Sequence, residues 1–167
     1  MSKVITFSRY FPKYHPRKGE PTYFIEKIYN GLYSKNNLMD YPDGLEVNDS
    51  IQGMKHHTIR AGNRFKVGDI FSPRVWSGKP YQSKQIIIAP DIEVKKVWDI
   101  KIVDLDGVHC IRLNNEPFGQ FHPLAEGTQK IAKNDGLTAI ELIQWFSSPS
   151  PTGKKFQIIC WNENINY

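Results

Sequence analysis

The sequence predicts an α+β fold, mainly β: a small β-barrel with helices packed at its edge. Downstream of Phe65 the chain is a succession of short, apolar, β-branched runs separated by Gly, Pro and Asp turns. Only two stretches carry helical spacing, and both lie outside that succession. Five or more short strands joined by tight turns favour a barrel over a layered α/β sheet.

The elements follow in order. Val4 to Phe7 is β-rich and runs into Ser8–Gly19, where two prolines and a glycine predict a loop. Pro21 stands where a helix accepts proline, and Phe24, Ile25, Ile28, Tyr29 and Leu32 recur at helical spacing, so a helix is expected from about Thr22 to Tyr33. Asn36 to Ser50 is rich in Asn, Asp, Pro and Gly and reads as a long connection, a lid or an insertion. Strands are expected at Asp69–Trp76, Gln85–Ala89, Ile92–Ile102 and Val108–Leu113, with a hairpin at Asp106-Gly107. Pro73 inside its run predicts an edge strand or a bulge. A second helix is expected from about Leu137 to Phe146, burying Ile140, Leu142, Ile143 and Phe146, and Phe156–Trp161 reads as the closing strand.

With 167 residues, 40% apolar, the chain can bury one good core, so residues 1–167 are expected to form a single domain with a helix-and-loop insertion at about 20–50. A net charge of +5 and a pI near 9.1 make an acidic partner reasonable, but the cations are spread out apart from Arg9, Lys13, Arg17 and Lys18. Cys110 and Cys160 sit in separate apolar runs and read as buried thiols rather than a disulfide or a zinc pair. No apolar stretch approaches the ~20 residues that span a bilayer, and the start carries no signal-type apolar region, so no membrane partner and a cytoplasmic location are expected.

The densest chemistry lies in Gly53-Met54-Lys55-His56-His57-Thr58-Ile59-Arg60, followed by Lys66-Val67-Gly68-Asp69. A glycine turn, a lysine, a hydroxyl and an arginine suit an anionic or polar ligand. In a regular strand Lys55 and Thr58 face opposite ways, so they share a pocket only if the strand starts after Lys55, leaving the lysine on the Gly53 turn. Adjacent His56 and His57 diverge for the same reason and lack a spaced ligand set, so no metal and no cofactor are expected; one histidine should pack and the other line the ligand site. Aromatic and basic residues interleave in Arg9–Lys18 and Arg74–Tyr81, a combination that can hold single-stranded nucleic acid. Core packing is the preferred reading for Trp76, and exposure with ligand contact for Tyr14, His15 and Arg17.

Gly53, Lys55, Thr58 and Arg60 resemble the Gly-x-Lys-x-x-Thr-x-Arg signature of ASCH domains, whose fold is PUA-like. Phe65-Lys66-Val67-Gly68-Asp69-Ile70 is similar to the continuation of that signature, and Ala132–Thr138 to the segment in which the family places an acidic residue. The family includes acetylcytidine amidohydrolases, and the resemblance implies catalytic roles for Lys55, Thr58 and Asp135 as base, nucleophile and acid. Here Asp135 replaces a glutamate, one methylene longer, which puts the reach of that acid in question. Asn134-Asp135-Gly136 ahead of a helix also reads as a cap and turn, and the cap is the favoured reading.

The resulting expectation is binding of RNA, a nucleotide or a modified nucleoside, with Gly53, His57, Arg60, Arg17, Lys66 and Tyr14 as ligand contacts. The alternatives are amidohydrolysis of acylated nucleosides and a non-catalytic interaction domain. A closed pocket joining Lys55, Thr58 and Asp135 would favour the enzyme, and an open groove of Arg17, Lys55, Arg60 and Lys66 would favour a polymer.

Overall fold

The alternating runs form two sheets rather than the closed barrel expected from them. The computed structural model describes residues 2–33 and 41–167. Along the chain these form β1 (Lys3–Thr6), α1 (Phe24–Leu32), β2 (His57–Ala61), β3 (Ile70–Trp76), β4 (Gln85–Ile87), β5 (Ile92–Glu93), β6 (Lys96–Leu105), β7 (Val108–Leu113), β8 (Glu116–Gln120), α2 (Glu126–Asn134), α3 (Ala139–Phe146) and β9 (Phe156–Cys160). One sheet runs β1-β3-β4 with β5 also on β3, and the other runs β2-β9-β6-β7-β8. The chain crosses between them at Val94-Lys95, where the Lys95 amide donates to the Cys160 carbonyl at 2.8 Å.

On the other side no ladder joins the edge strands β1 and β2 among the described residues. Instead Arg60 Nη2 donates to the Thr6 carbonyl at 2.7 Å, taking an acceptor that a closing ladder would need. Hence mainly β with helices at the periphery describes the molecule, and a closed barrel does not.

Pro73 lies on the central strand of its sheet, not on an edge. It has no N–H to give, and the antiparallel partner is split at that point: β5 pairs with Ile70-Phe71 and β4 with Arg74–Trp76. The Pro73 carbonyl is still used, accepting from the Ile88 amide at 3.0 Å. In the β6–β7 hairpin Asp106 and Gly107 both have positive φ, 52° and 83°, as the two-residue turn that follows the twist of the strands requires.

Strand β9 separates two cores. Ile159 belongs to one, with Ile5, Phe7, Ile28, Phe71, Val75 and Trp161, and Ile158 belongs to the other, with Ile100, Ile111, Ile131 and Leu142. Neighbouring residues of a strand face opposite ways, so a strand with packing on both sides is apolar in a run rather than alternately, and its one polar residue, the buried Gln157, bonds to the Phe65 backbone. In α3 Leu142 is buried as expected, but Ile140 is 55% exposed. Cys110 is half-buried, Cys160 is buried, and both are free thiols.

Residues 36–40 of the expected long connection lie outside the described residues. From Tyr41 the chain packs back on α1: Tyr41 lies 4.4 Å from the Tyr29 ring centroid, Leu45 and Val47 join the first core, and the Asn48 amide donates to Glu26 Oε1 at 3.0 Å. No described helix is long and apolar enough to cross a membrane.

Candidate functional site

Lys55 enters the interior just ahead of β2, clamped between α1 and the turn after α2. Its backbone amide donates to the Lys27 carbonyl at 2.8 Å, and the next amide, of His56, donates to the Asn134 carbonyl at 2.8 Å. Two glycines permit this approach. A Cβ at Gly31 would meet the Lys55 carbonyl oxygen at 2.8 Å, and one at Gly136, where φ is +76°, would meet the Lys55 Cβ at 3.3 Å. The strand begins after Lys55 and Gly53 takes φ +93°, the arrangement that lets Lys55 share a pocket with Thr58.

Inside, Lys55 is 1% exposed, and its Nζ donates to Asp135 Oδ1 at 2.8 Å and to the Asp135 carbonyl at 2.6 Å. The ammonium also sits 4.1 Å from the centroid of the Phe24 ring. Burial pushes the Lys55 pKa down to about 8, against the pull of Asp135 in the other direction. Burial pushes Asp135 up, but the Lys55 ammonium beside it, the largest opposing influence, holds the carboxyl below the usual carboxylate range. The pair thus combines an ionised carboxylate with an amine that loses its proton near pH 8.

Asp135 is not the cap of the following helix. It closes α2, and α3 is capped by Thr138, whose hydroxyl accepts from the Glu141 amide while the Glu141 side chain accepts from the Thr138 amide. The shorter aspartate reaches Lys55 because Gly136 brings its backbone against the lysine stem.

Lys55, Thr58 and Asp135 line one cavity of about 50 Å³ together with Ser8, Phe24 and Arg60. Thr58 is 5% exposed, and its hydroxyl makes no hydrogen bond among the described residues. Arg60 lies on the same strand face as Thr58. It is half-buried, with its guanidinium 5.4 Å from the Phe7 ring centroid and no partner at Nε.

His57 points away from that cavity. It is fully buried, with Nε2 at 2.6 Å from the Tyr167 hydroxyl and Nδ1 at 3.3 Å from Asp135 Oδ1, an approach too poorly aligned to count as a hydrogen bond. Asn134 Nδ2 donates to the Tyr167 oxygen at 3.0 Å, so the phenol bridges Asn134 and His57. Burial lowers the His57 pKa, so the ring is neutral and acts as a packed support behind Asp135. Sequence reasoning missed Tyr167, whose position far along the chain carries no local signal.

The other predicted contacts do not gather here. Lys66 is exposed; its backbone amide donates to Asp69 Oδ2 at 2.8 Å, and Asp69 is paired with Lys3 Nζ at 2.6 Å. Arg17 is paired with Glu20 at 2.6 Å and with Glu141, and its guanidinium covers the Phe11 ring at 4.8 Å. His15, expected to be exposed, is 1% exposed and meets the Glu141 carbonyl through Nε2 at 3.2 Å. The basic loop is therefore fastened to α3, and only Tyr14 of the three expected contacts is exposed. Trp76, expected in the core, is half-buried and packs 5.3 Å from the ring of the exposed Tyr81. Arg17, Lys55, Arg60 and Lys66 form no common groove. Among the described residues no group of three or more His, Cys, Asp or Glu side chains is placed to hold a metal ion.

Comparison with protein-family models, with curated proteins and with solved structures finds no match to this chain.

Proposed function

We propose that this chain is an amidohydrolase acting on acylated nucleosides such as acetylcytidine, with Lys55 and Thr58 as its reacting pair. The observation that carries the reading is the cavity shared by Lys55, Thr58 and Asp135, which contains a lysine whose pKa lies near 8. A volume of about 50 Å³ is roughly the space of one or two waters, suited to a small acyl head rather than a base. The resemblance of Gly53, Lys55, Thr58 and Arg60 to the ASCH signature supports the same assignment.

In this mechanism neutral Lys55 takes the proton of the Thr58 hydroxyl, and the Thr58 oxygen attacks the acyl carbonyl. The tetrahedral adduct collapses by breaking the C–N bond, and the Lys55 ammonium returns the proton to the departing amine. Water then attacks the acyl–Thr58 ester, again with Lys55 as base, releasing the carboxylic acid and restoring the hydroxyl. Asp135, held ionised, has no proton to give at neutral pH. The acid role that the family resemblance gives it therefore passes to Lys55, and Asp135 orients that amine. Arg60, on the Thr58 face, is placed to stabilise the oxyanion.

Binding without catalysis is the second reading, favoured by a separate cavity of about 420 Å³ beside Tyr10, Tyr23 and Glu26. In this reading a modified nucleoside or nucleotide is held there without turnover.

The test is deacylation of acetylcytidine and related acylated nucleosides by the wild type, Lys55→Ala and Thr58→Val. Turnover that falls by roughly 10²-fold or more in both variants is expected, since positioned proton transfer contributes about that much. No turnover at high enzyme concentration, or turnover indifferent to Lys55→Ala, contradicts the assignment.

A further inference from the structure

The seam at which the two sheets fail to join contains a further cavity, of about 200 Å³, between β1 and β2. Its lining includes Thr6, Arg60, Arg64, Phe65 and Gln157, with two arginines and no carboxylate. The other polar groups at this place are spent. Gln157 exchanges both its amide bonds with the Phe65 backbone, each at 3.1 Å, and Lys3 donates to the Arg64 carbonyl and to Asp69, both at 2.6 Å. Asp69, the acid tied to this edge, is thereby already paired.

The arginines are not spent. Of the donors on Arg60 only Nη2 is engaged, on the Thr6 carbonyl, and Nε is buried without a partner. The exposed Arg64 side chain makes no hydrogen bond or ion pair among the described residues. Two guanidinium groups with free N–H donors, in a cavity whose wall holds no carboxylate, are a receptor for a multidentate oxyanion, phosphate above all. Arg60 stands in the wall of this cavity and also of the one that holds Lys55 and Thr58. A volume of 200 Å³ equals that of roughly seven waters, enough for a phosphate with part of its sugar.

We propose that the β1–β2 seam binds the phosphate monoester of a mononucleotide through Arg60 and Arg64, so that the substrate is an acylated nucleotide rather than the free nucleoside. This proposal rests on the amidohydrolase reading for its acyl group, but not for its anion site.

The experiment compares acetylcytidine with its 5′-monophosphate as substrates of the wild type and of Arg64→Gln. The expected result is a kcat/KM at least about tenfold higher for the monophosphate, with that ratio falling toward one in Arg64→Gln, as for loss of a charge-assisted contact. Equal turnover of the two compounds, or a preference for the nucleoside, overturns the proposal. If neither is turned over, the amidohydrolase reading fails, and calorimetric titration with cytidine 5′-monophosphate decides the anion site alone. Binding weakened about tenfold by Arg64→Gln upholds it. Absent binding, binding equal in both proteins, or binding of a single-stranded oligonucleotide in place of the mononucleotide overturns it.

Discussion

Two Lys–Asp pairs of nearly equal length behave differently in this protein. Lys3–Asp69 spans 2.6 Å with side chains 36% and 14% exposed, and Lys55–Asp135 spans 2.8 Å at 1% and 7%. The outer pair pins the Lys66–Asp69 turn to β1 and leaves its lysine partly in water. The inner pair has given up hydration on both sides, so removal of either member strands a charge that the protein cannot solvate. Contact distance says little about what an ion pair does; dehydration decides whether a lysine is a fastener or a base.

The largest expected effect comes from cutting the inner pair. Asp135→Ala should lower stability by about 3–5 kcal/mol in urea unfolding, because Lys55 is left buried and unpaired. Replacing both partners, Lys55→Met with Asp135→Leu, should destabilise less than Asp135→Ala alone, because no charge then stays buried. A double variant as unstable as the sum of the two singles would show that the pair is not coupled.

The next effect concerns pH. The folded pKa of Lys55 is about 8 and its ordinary value is 10.5, so between these pH values the unfolded chain binds the extra proton. Stability contributed through this residue therefore rises with pH across that window and is flat below it. Chemical denaturation of the wild type minus Lys55→Met between pH 7 and 11 isolates the contribution, and a difference falling with pH has the wrong sign for a buried amine.

Gly31→Ala sharpens the account of how Lys55 is held. The added Cβ would meet the Lys55 carbonyl at 2.8 Å, a backbone atom that cannot rotate away, so a loss of roughly 1–3 kcal/mol is expected in thermal or urea unfolding. An unchanged midpoint would mean that α1 does not press on this segment. The smallest effect belongs to the outer pair: Lys3 keeps much of its water, so Lys3→Met should cost no more than about 1 kcal/mol in urea unfolding. A loss there as large as that from Asp135→Ala would erase the contrast between the pairs.

Much of this was legible in the sequence where the signal is local. The Asp106-Gly107 hairpin, the α1 stripe and the strand of β9 follow from spacing and turn chemistry, and Lys55 and Thr58 marked the cavity wall, with Gly53 outside it. What was hidden is non-local. Whether β1 meets β2 depends on Arg60 reaching across to Thr6, far away in the chain, and no local pattern shows an unpaired edge. Helix α2 was not foreseen because it buries little beyond Thr128, Ile131 and Ala132, too narrow a stripe to stand out. Asp135 looked like a cap because Asn-Asp-Gly before a helix usually is one; here Thr138, three residues on, takes that role through its box with Glu141. The basic loop looked free because charge and proline favour exposure, while Glu141, which anchors it, lies on a distant helix.

The central claim is that Lys55 is a dehydrated amine that loses its proton near pH 8. A 13C NMR titration of the lysine Cε resonances, with Lys55 assigned by comparison with Lys55→Met, tests it directly. A midpoint near 8 is the predicted result. A midpoint at the ordinary lysine value of 10.5 would make Lys55 a solvated fastener like Lys3 and contradict its role as the base acting on Thr58.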